Sequence, residues 1–136
     1  MEVASWSEDP KTKVGSVIVG PKNEVRSLGF NGLPRGIKNT PEKLSRENGE
    51  KYLWMEHAER NAIYNATLNG VSTNGCRIYS TLFPCCDCAR AIIQSGIMEL
   101  NTYKVERGTY EGYKESFRVS ENMMKESGVV IRLFDR

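Results

Sequence analysis

Little in this chain is in excess. It has one histidine in 136 residues, and aromatic residues make up 9%. A lone histidine on a helix is more often a packed or surface residue than a ligand, so it points to a metal only if other donors converge on it. No apolar run approaches the roughly 18 residues a membrane helix requires, which excludes a helical span. Met1–Glu8 has neither a basic start nor an apolar stretch, so no signal peptide is expected and the expected location is cytoplasmic. Charge is nearly balanced, with 19 basic and 17 acidic side chains for a net +2. That argues against a protein held to nucleic acid by bulk electrostatics, though not against a local basic patch. There is no internal repeat and no low-complexity tract. Hydrophobic residues at 39% and charged residues at 26% suit a globular chain. The expectation is one domain over residues 1–136, long enough to bury about two-thirds of its unfolded surface.

Four cysteines are present. Three crowd into Pro84-Cys85-Cys86-Asp87-Cys88, and Cys76 stands apart. A disulfide framework is one reading, but neighbours this close bridge each other poorly. Without a signal peptide, metal binding explains the cluster better. The histidine, His57, lies upstream in Glu56-His57-Ala58-Glu59.

Val14–Val19 and Glu24–Phe30 read as strands, and Gly20-Pro21-Lys22-Asn23 between them suggests an antiparallel hairpin. Asn31 to about Tyr52 is irregular, a length of loop that is usually functional or mobile. Ala58, Ala62, Ile63 and Ala66 give Glu56–Leu68 a helical period, with Asn69-Gly70 as the stop. Cys76–Leu82 reads as a strand. Pro84 opens a helix to about Ser95, with Gly96 as its cap. A strand near Met98–Lys104 follows, then a helix over Tyr113–Ser127 ended by Gly128, and a last strand at Val129–Leu133. The order β-β-α-β-α-β-α-β predicts an α/β fold, one mixed sheet with helices on its faces.

In this reading His57 falls in the first turn of one helix, and Cys85 and Cys88 in the first turn of the next. Residues i and i+3 share a helix face, so both thiolates can reach one ion. Helix N-termini favour the thiolate forms. One His and two Cys supply three ligands where zinc takes four. The fourth position left to water marks a catalytic site. Glu59, close by and not needed as a ligand, suits a proton shuttle. The competing reading is a closed structural site with Cys76 or Cys86 as fourth ligand. Cys86 points elsewhere on its helix, and Cys76 at the start of a strand suits the core.

His57-Ala58-Glu59 followed by Pro84-Cys85-Cys86-Asp87-Cys88 resembles the zinc-dependent cytidine/deoxycytidylate deaminase superfamily, whose signature is H-x-E…P-C-x-x-C. Within it the chain is most similar to the deoxycytidylate deaminase family. Asp9-Pro10-Lys11-Thr12-Lys13-Val14-Gly15 resembles that family's opening, and Gly29-Phe30-Asn31-Gly32-Leu33-Pro34-Arg35-Gly36 its Gly-Tyr-Asn-Gly-x-Pro segment, with Phe for Tyr. His57–Ile63 and Thr81–Cys85 also fit. Likeness is good over residues 4 to about 100 and weaker after. Lys104–Gly112 lacks the family's Asp-Lys-Tyr-His pattern, and the N-terminal helix looks short.

The resemblance implies a cytidine deaminase-like three-layer α/β/α fold with a five-stranded mixed sheet. It implies hydrolytic deamination of dCMP to dUMP and ammonia. Water activated by a catalytic Zn²⁺ on His57, Cys85 and Cys88 would attack C4, with Glu59 passing protons to N3 and to the leaving amine. Asn31 is similar to the superfamily's sugar-binding Asn, although Asn31-Gly32 also reads as a plain turn. A 5′-phosphate needs cations, and Arg26, Arg35 and Arg46 are candidates, with Lys38 nearby in a stretch free of acids. A solvated basic loop is the alternative for each. The resemblance further implies a homohexamer activated by dCTP and inhibited by dTTP with Mg²⁺, with Gly29, Phe30, Asn31 and Gly32 in the effector segment. No nucleic acid and no membrane partner is expected. The alternatives are a tRNA adenosine deaminase-like or nucleoside cytidine deaminase, and a non-enzymatic zinc-stabilised binding module.

Overall fold

Both strands expected at the start of the chain form, and they pair as a hairpin. The computed structural model describes residues 1–136. Its first two strands, β1 (Gly15–Val19) and β2 (Val25–Phe30), run antiparallel, and Asn23 takes a left-handed φ of 61° in the turn between them. The remaining strands are β3 (Arg77–Ser80), β4 (Glu99–Tyr103) and β5 (Val130–Phe134). The sheet order is β2-β1-β3-β4-β5. β3 is antiparallel to β1, whereas β3, β4 and β5 are mutually parallel. Parallel neighbours need a crossover, and helices supply both. The sheet is mixed and five-stranded, as the element order predicts.

The helices are α1 (Glu50–Trp54), α2 (Ala58–Leu68), α3 (Cys86–Gln94) and α4 (Lys114–Ser127). α3 and α4 are the two crossovers. Gly96 and Gly128 follow them with φ of 79° and 91°, the left-handed stops expected of glycine. α1, with a 3₁₀ turn at Glu47–Gly49 before it, lies at the end of the stretch expected to be irregular. α2 starts two residues later than predicted. Glu56 is held extended by reciprocal backbone hydrogen bonds with Gly32, of 3.0 and 2.8 Å, and cannot join the helix.

α2, α3 and α4 share one face of the sheet. Ile18, Ile78 and Leu100 from the three central strands meet Ala62, Ala89, Ile92 and Met124 from those helices in one buried cluster. Each large side chain buried this way stabilises the fold by about 1.5–3 kcal/mol. Gly29 sets the closest approach: a Cβ there would lie 2.3 Å from the Ala62 backbone nitrogen, so α2 can rest on β2 only because the position is glycine. On the opposite face a 3₁₀ turn, Glu2–Trp6, covers β1 and β2. Trp6 packs edge-on to Phe30 there, at 6.2 Å between ring centres. The two helical layers are thus unequal, three helices against one turn.

Candidate active site

The chemistry-bearing residues sit where chain enters helix. His57 and Cys85 are the residues immediately before α2 and α3, both with extended backbone (ψ of 153° and 172°), and Cys88 lies in the first turn of α3. The predicted placement of His57 and Cys85 inside the first turn is therefore corrected by one residue. The extended backbone turns their side chains toward each other across the gap between the helices. His57 Nδ1 is 3.4 Å from Cys85 Sγ and 3.4 Å from Cys88 Sγ. These ligand atoms all lie within 4.8 Å of one another.

The other two cysteines stand outside this group. Cys76 is fully buried, with its thiol toward the Ser72 and Asn74 carbonyls at 3.8 Å. The Cys86 backbone N–H donates to Ser116 Oγ at 2.8 Å, and its thiol is not among the converging donors. All four cysteines are free thiols, so no disulfide framework forms. Two sulfurs and one imidazole nitrogen, converging without a fourth protein donor, suit zinc with one position left to solvent.

Electrostatics prepare the group. A hydrogen bond from Cys88, aided by His57, pushes the Cys85 thiol down to about 4 despite its burial. Cys88, hydrogen-bonded to Cys85, buried and facing Glu59, is pushed far up. His57 is raised by its hydrogen bond to Cys85. The two thiols are thus pushed in opposite directions, and a metal held here would take both as thiolates and His57 as the neutral imidazole.

Glu59 is 3% exposed. Ser80 Oγ donates to its Oε1 at 2.8 Å, and the Cys88 thiol donates to its Oε2 at 3.2 Å. Ser16 Oγ in turn donates to Ser80 Oγ at 3.0 Å, across the β1–β3 pairing that sets these serines opposite each other. A buried carboxylate needs such donors. Sequence reasoning missed both serines. Their one signal is a small polar residue where strand alternation calls for a core side chain.

A cavity of about 520 Å³ opens over this corner. His57, Glu59, Cys85, Asn31 and Arg46 line it, as do Lys51, Thr109, Tyr110 and Tyr113. Asn31 is not a plain turn residue. Its Oδ1 accepts the Val14 N–H and its Nδ2 donates to the Thr12 carbonyl, both at 2.8 Å, tying the opening loop to the end of β2. Arg46 Nη2 donates to Thr12 Oγ1 at 3.0 Å. Arg26 and Arg35 lie elsewhere. Arg26 donates to the Ser72 carbonyl at 2.8 Å beside Glu24, and Arg35 pairs with Asn65 on the exposed side of α2. Neither they nor Lys38 line the cavity: Arg26 lies on the edge strand β2 and Arg35 reaches Asn65 of α2. Of the residues expected in an effector segment, Gly29 packs on α2, Phe30 on Trp6, Asn31 braces the cavity wall and Gly32 pairs with Glu56.

An aromatic wall faces the metal corner. Phe117 stacks on Tyr113 with ring centres 5.7 Å apart and meets Phe83 edge-on at 5.6 Å. Tyr110 sits beside them with a left-handed φ of 53°. Tyr110 and Tyr113 were not legible as part of the site, because residues 104–113 carry no recognisable pattern, and Phe117 reads only as a helix residue.

Comparison with known proteins agrees with this geometry. Residues 1–104 match the model of the cytidine and deoxycytidylate deaminase zinc-binding region. The chain is 40% identical over 129 residues to an uncharacterized deaminase, in the luxG 3′ region, of Aliivibrio fischeri, covering 95% of this chain and 84% of that one. It is 42% identical over 101 residues to the deoxycytidylate deaminase of Homo sapiens, covering 71% of this chain and 56% of the human one. It therefore spans little more than half the length of the human enzyme. In fold it matches the crystal structure of dCMP deaminase from the cyanophage S-TIM5, with a TM-score of 0.74 at 24% identity over 96% of this chain and 85% of that one. The cytidine deaminase-like architecture implied by the motif resemblance is the one observed. With its His-x-Glu and Pro-Cys-x-x-Cys segments brought together at two helix starts, the chain belongs to the cytidine and deoxycytidylate deaminase family.

Proposed function

We propose that this protein hydrolyses dCMP to dUMP and ammonia, as a zinc-dependent deaminase. The observation that carries the proposal is one cavity lined by His57 and Cys85 of the His57–Cys85–Cys88 group, by buried Glu59 and by an arginine, Arg46, bonded to a hydroxyl rather than a carboxylate. Similarity to named deoxycytidylate deaminases over 71% of the chain supports the choice of substrate.

His57, Cys85 and Cys88 would hold the zinc ion. When bound, zinc supplies a nucleophile by lowering the pKa of water from about 15.7 towards neutrality. Glu59 takes one proton from the attacking water and gives it to ring N3, then takes the remaining proton of the new C4 hydroxyl and delivers it to the 4-amino nitrogen as ammonia leaves and the C4 carbonyl forms. Ser80 fixes Oε1 for this work. Oε2 is bonded to the Cys88 thiol, and it is freed to carry protons once Cys88 gives up its own. Asn31 keeps one amide N–H for a sugar hydroxyl while the rest of its amide braces the wall. Arg46 is the candidate for the 5′-phosphate, since a guanidinium without a carboxylate partner keeps its donors for an anion.

The wider proposal adds a homohexamer in the cytoplasm, activated by dCTP and inhibited by dTTP with Mg²⁺. Resemblance of Gly29–Gly36 to the family's effector segment supports it. Gly29 has a structural reason of its own in its packing on α2.

The test is a comparison of dCMP with deoxycytidine. Both offer the same C4, so preference must come from the phosphate. Losing a desolvated charge partner costs about 2–5 kcal/mol, which predicts a kcat/KM ratio on the order of 10² to 10³ in favour of dCMP. Arg46→Ala should remove most of that ratio. Equal kcat/KM for the two substrates would rule out a phosphate site and move the assignment to a nucleoside or RNA deaminase. Saturation curves unmoved by dCTP, or by dTTP with Mg²⁺, would end the effector proposal and leave the catalytic one intact.

A further inference from the structure

One buried ion pair has no part in the chemistry above. Asp9 is 1% exposed and Lys51 8% exposed, with Nζ 2.6 Å from Oδ2. Burying two charges costs about as much as their attraction returns, so stability is a weak reason for such a pair. Lys51 lines the cavity, yet its charge is neutralised by Asp9.

The pair closes a ring of contacts that ends on Arg46 from both sides. Asp9 Oδ1 accepts the backbone N–H groups of Lys11 and Thr12 at 2.9 and 3.1 Å. These bonds bend the chain so that Thr12 Oγ1 faces Arg46 Nη2 at 3.0 Å. Asn31 clamps the same residue through the Thr12 carbonyl at 2.8 Å. On the other side, the Lys51 N–H donates to the Ser45 carbonyl at 2.8 Å, and the Gly49 N–H donates to the Arg46 carbonyl at 3.2 Å. Lys51 therefore fixes the turn that carries Arg46, and Asp9 fixes the hydroxyl that aims its side chain.

We propose that the Asp9–Lys51 pair is the positioning device of an anion subsite: it locks Thr12 and Arg46 together and neutralises Lys51, so that the cavity presents one aimed guanidinium to a nucleoside monophosphate. Discrimination between nucleotide and nucleoside is then set by two residues that do not touch the phosphate. The inference rests on the reading of Arg46 as the phosphate partner.

The experiment measures kcat and KM for dCMP and deoxycytidine in the zinc-loaded protein, its Thr12→Val, Asp9→Asn, Lys51→Met, Lys51→Arg and Arg46→Ala variants, and Arg46→Ala combined with Thr12→Val. Zinc content and melting temperature are followed for each. Thr12→Val keeps the side-chain shape and leaves the ion pair in place, so it reports even if the buried-charge variants fold poorly. It should raise KM for dCMP roughly 10-fold with kcat changed by less than about twofold, because a charge-assisted hydrogen bond is lost. Asp9→Asn and Lys51→Met should lower the dCMP-to-deoxycytidine ratio about 10- to 100-fold, and Lys51→Arg should restore most of it. In the Arg46→Ala background Thr12→Val should change the ratio no further, since the two act as one unit. Equal losses on both substrates, or effects that multiply in the double variant, would overturn the positioning role while the preference of the parent protein still upholds the phosphate site. No preference for dCMP in the parent protein would overturn the phosphate site and this inference with it.

Discussion

The cavity has two unlike ends. Its inner end is built on helix starts and central strands: His57, Cys85 and Cys88 are fixed by α2 and α3, and Glu59 by serines of β1 and β3. Its outer end is built on loops and short turns: Arg46 beside a 3₁₀ turn, and Tyr110 and Tyr113 beyond the last residue of β4. In the proposed reaction the inner end supplies the groups for bond making and breaking, which tolerate little displacement. The outer end would meet the variable part of a ligand. Catalysis and selectivity would thereby fall to parts of the fold with different rigidity.

If that division holds, the largest effects belong to the inner end. Cys85→Ser or Cys88→Ser should lose zinc and fall to background activity, with a lower melting temperature, because bound metal contributes to folding. Full zinc occupancy in either variant, read by metal analysis, would take that cysteine out of the site. Glu59→Gln should keep zinc and fold but lower kcat by about 10²- to 10⁴-fold, the usual weight of general acid–base catalysis. A near-normal kcat would end its role as shuttle.

Asp9 bridges the comparison. Burial pushes its carboxyl up, and the Lys51 ammonium with the Lys11 and Thr12 amides more than offsets this, leaving it below its ordinary value. A depressed carboxylate contributes stability that is present above the unfolded value, near 3.9, and is lost as pH falls through the folded one. Asp9→Asn should therefore flatten the loss of stability below about pH 4, measured by thermal melting across pH. An unchanged acid limb would show that the pair is not linked to folding. The smallest effect is expected from Cys86→Ser, half-buried and outside the donor group, which should stay within about 0.5 kcal/mol of the parent with zinc retained. Cys76→Ser should also keep zinc. Zinc loss from either would restore the closed structural site.

How much of this was legible depended on distance along the chain. The hairpin, the helices ended by Gly70, Gly96 and Gly128, and the alternation of strands and helices after them could be read because each rests on local period or a local stop signal. The donors could be read because their types and spacing are tied to metal chemistry. Arg26 and Arg35 were credited equally with Arg46, since composition records that a stretch is basic and not which way it runs. α1 was hidden in a region rich in polar and glycine residues, at five residues too short to show a period. Ser16, Ser80 and the Asp9–Lys51 pair were invisible because their partners lie far off in sequence, up to 64 positions for the serines.

By itself the sequence determined the fold class, the order of the strands and the His-Cys-Cys donor group, because strand and helix periods, glycine stops and helix-start cysteines act over a few residues. Only the tertiary structure decided which arginine reaches the cavity, what holds the Glu59 carboxylate and which aromatic rings wall the site. Those outcomes depend on side chains meeting across the sheet and between loops. Such meetings follow from the register of β1 on β3 and the approach of α2 to β2 through Gly29, neither of which is stated by any one segment of the chain.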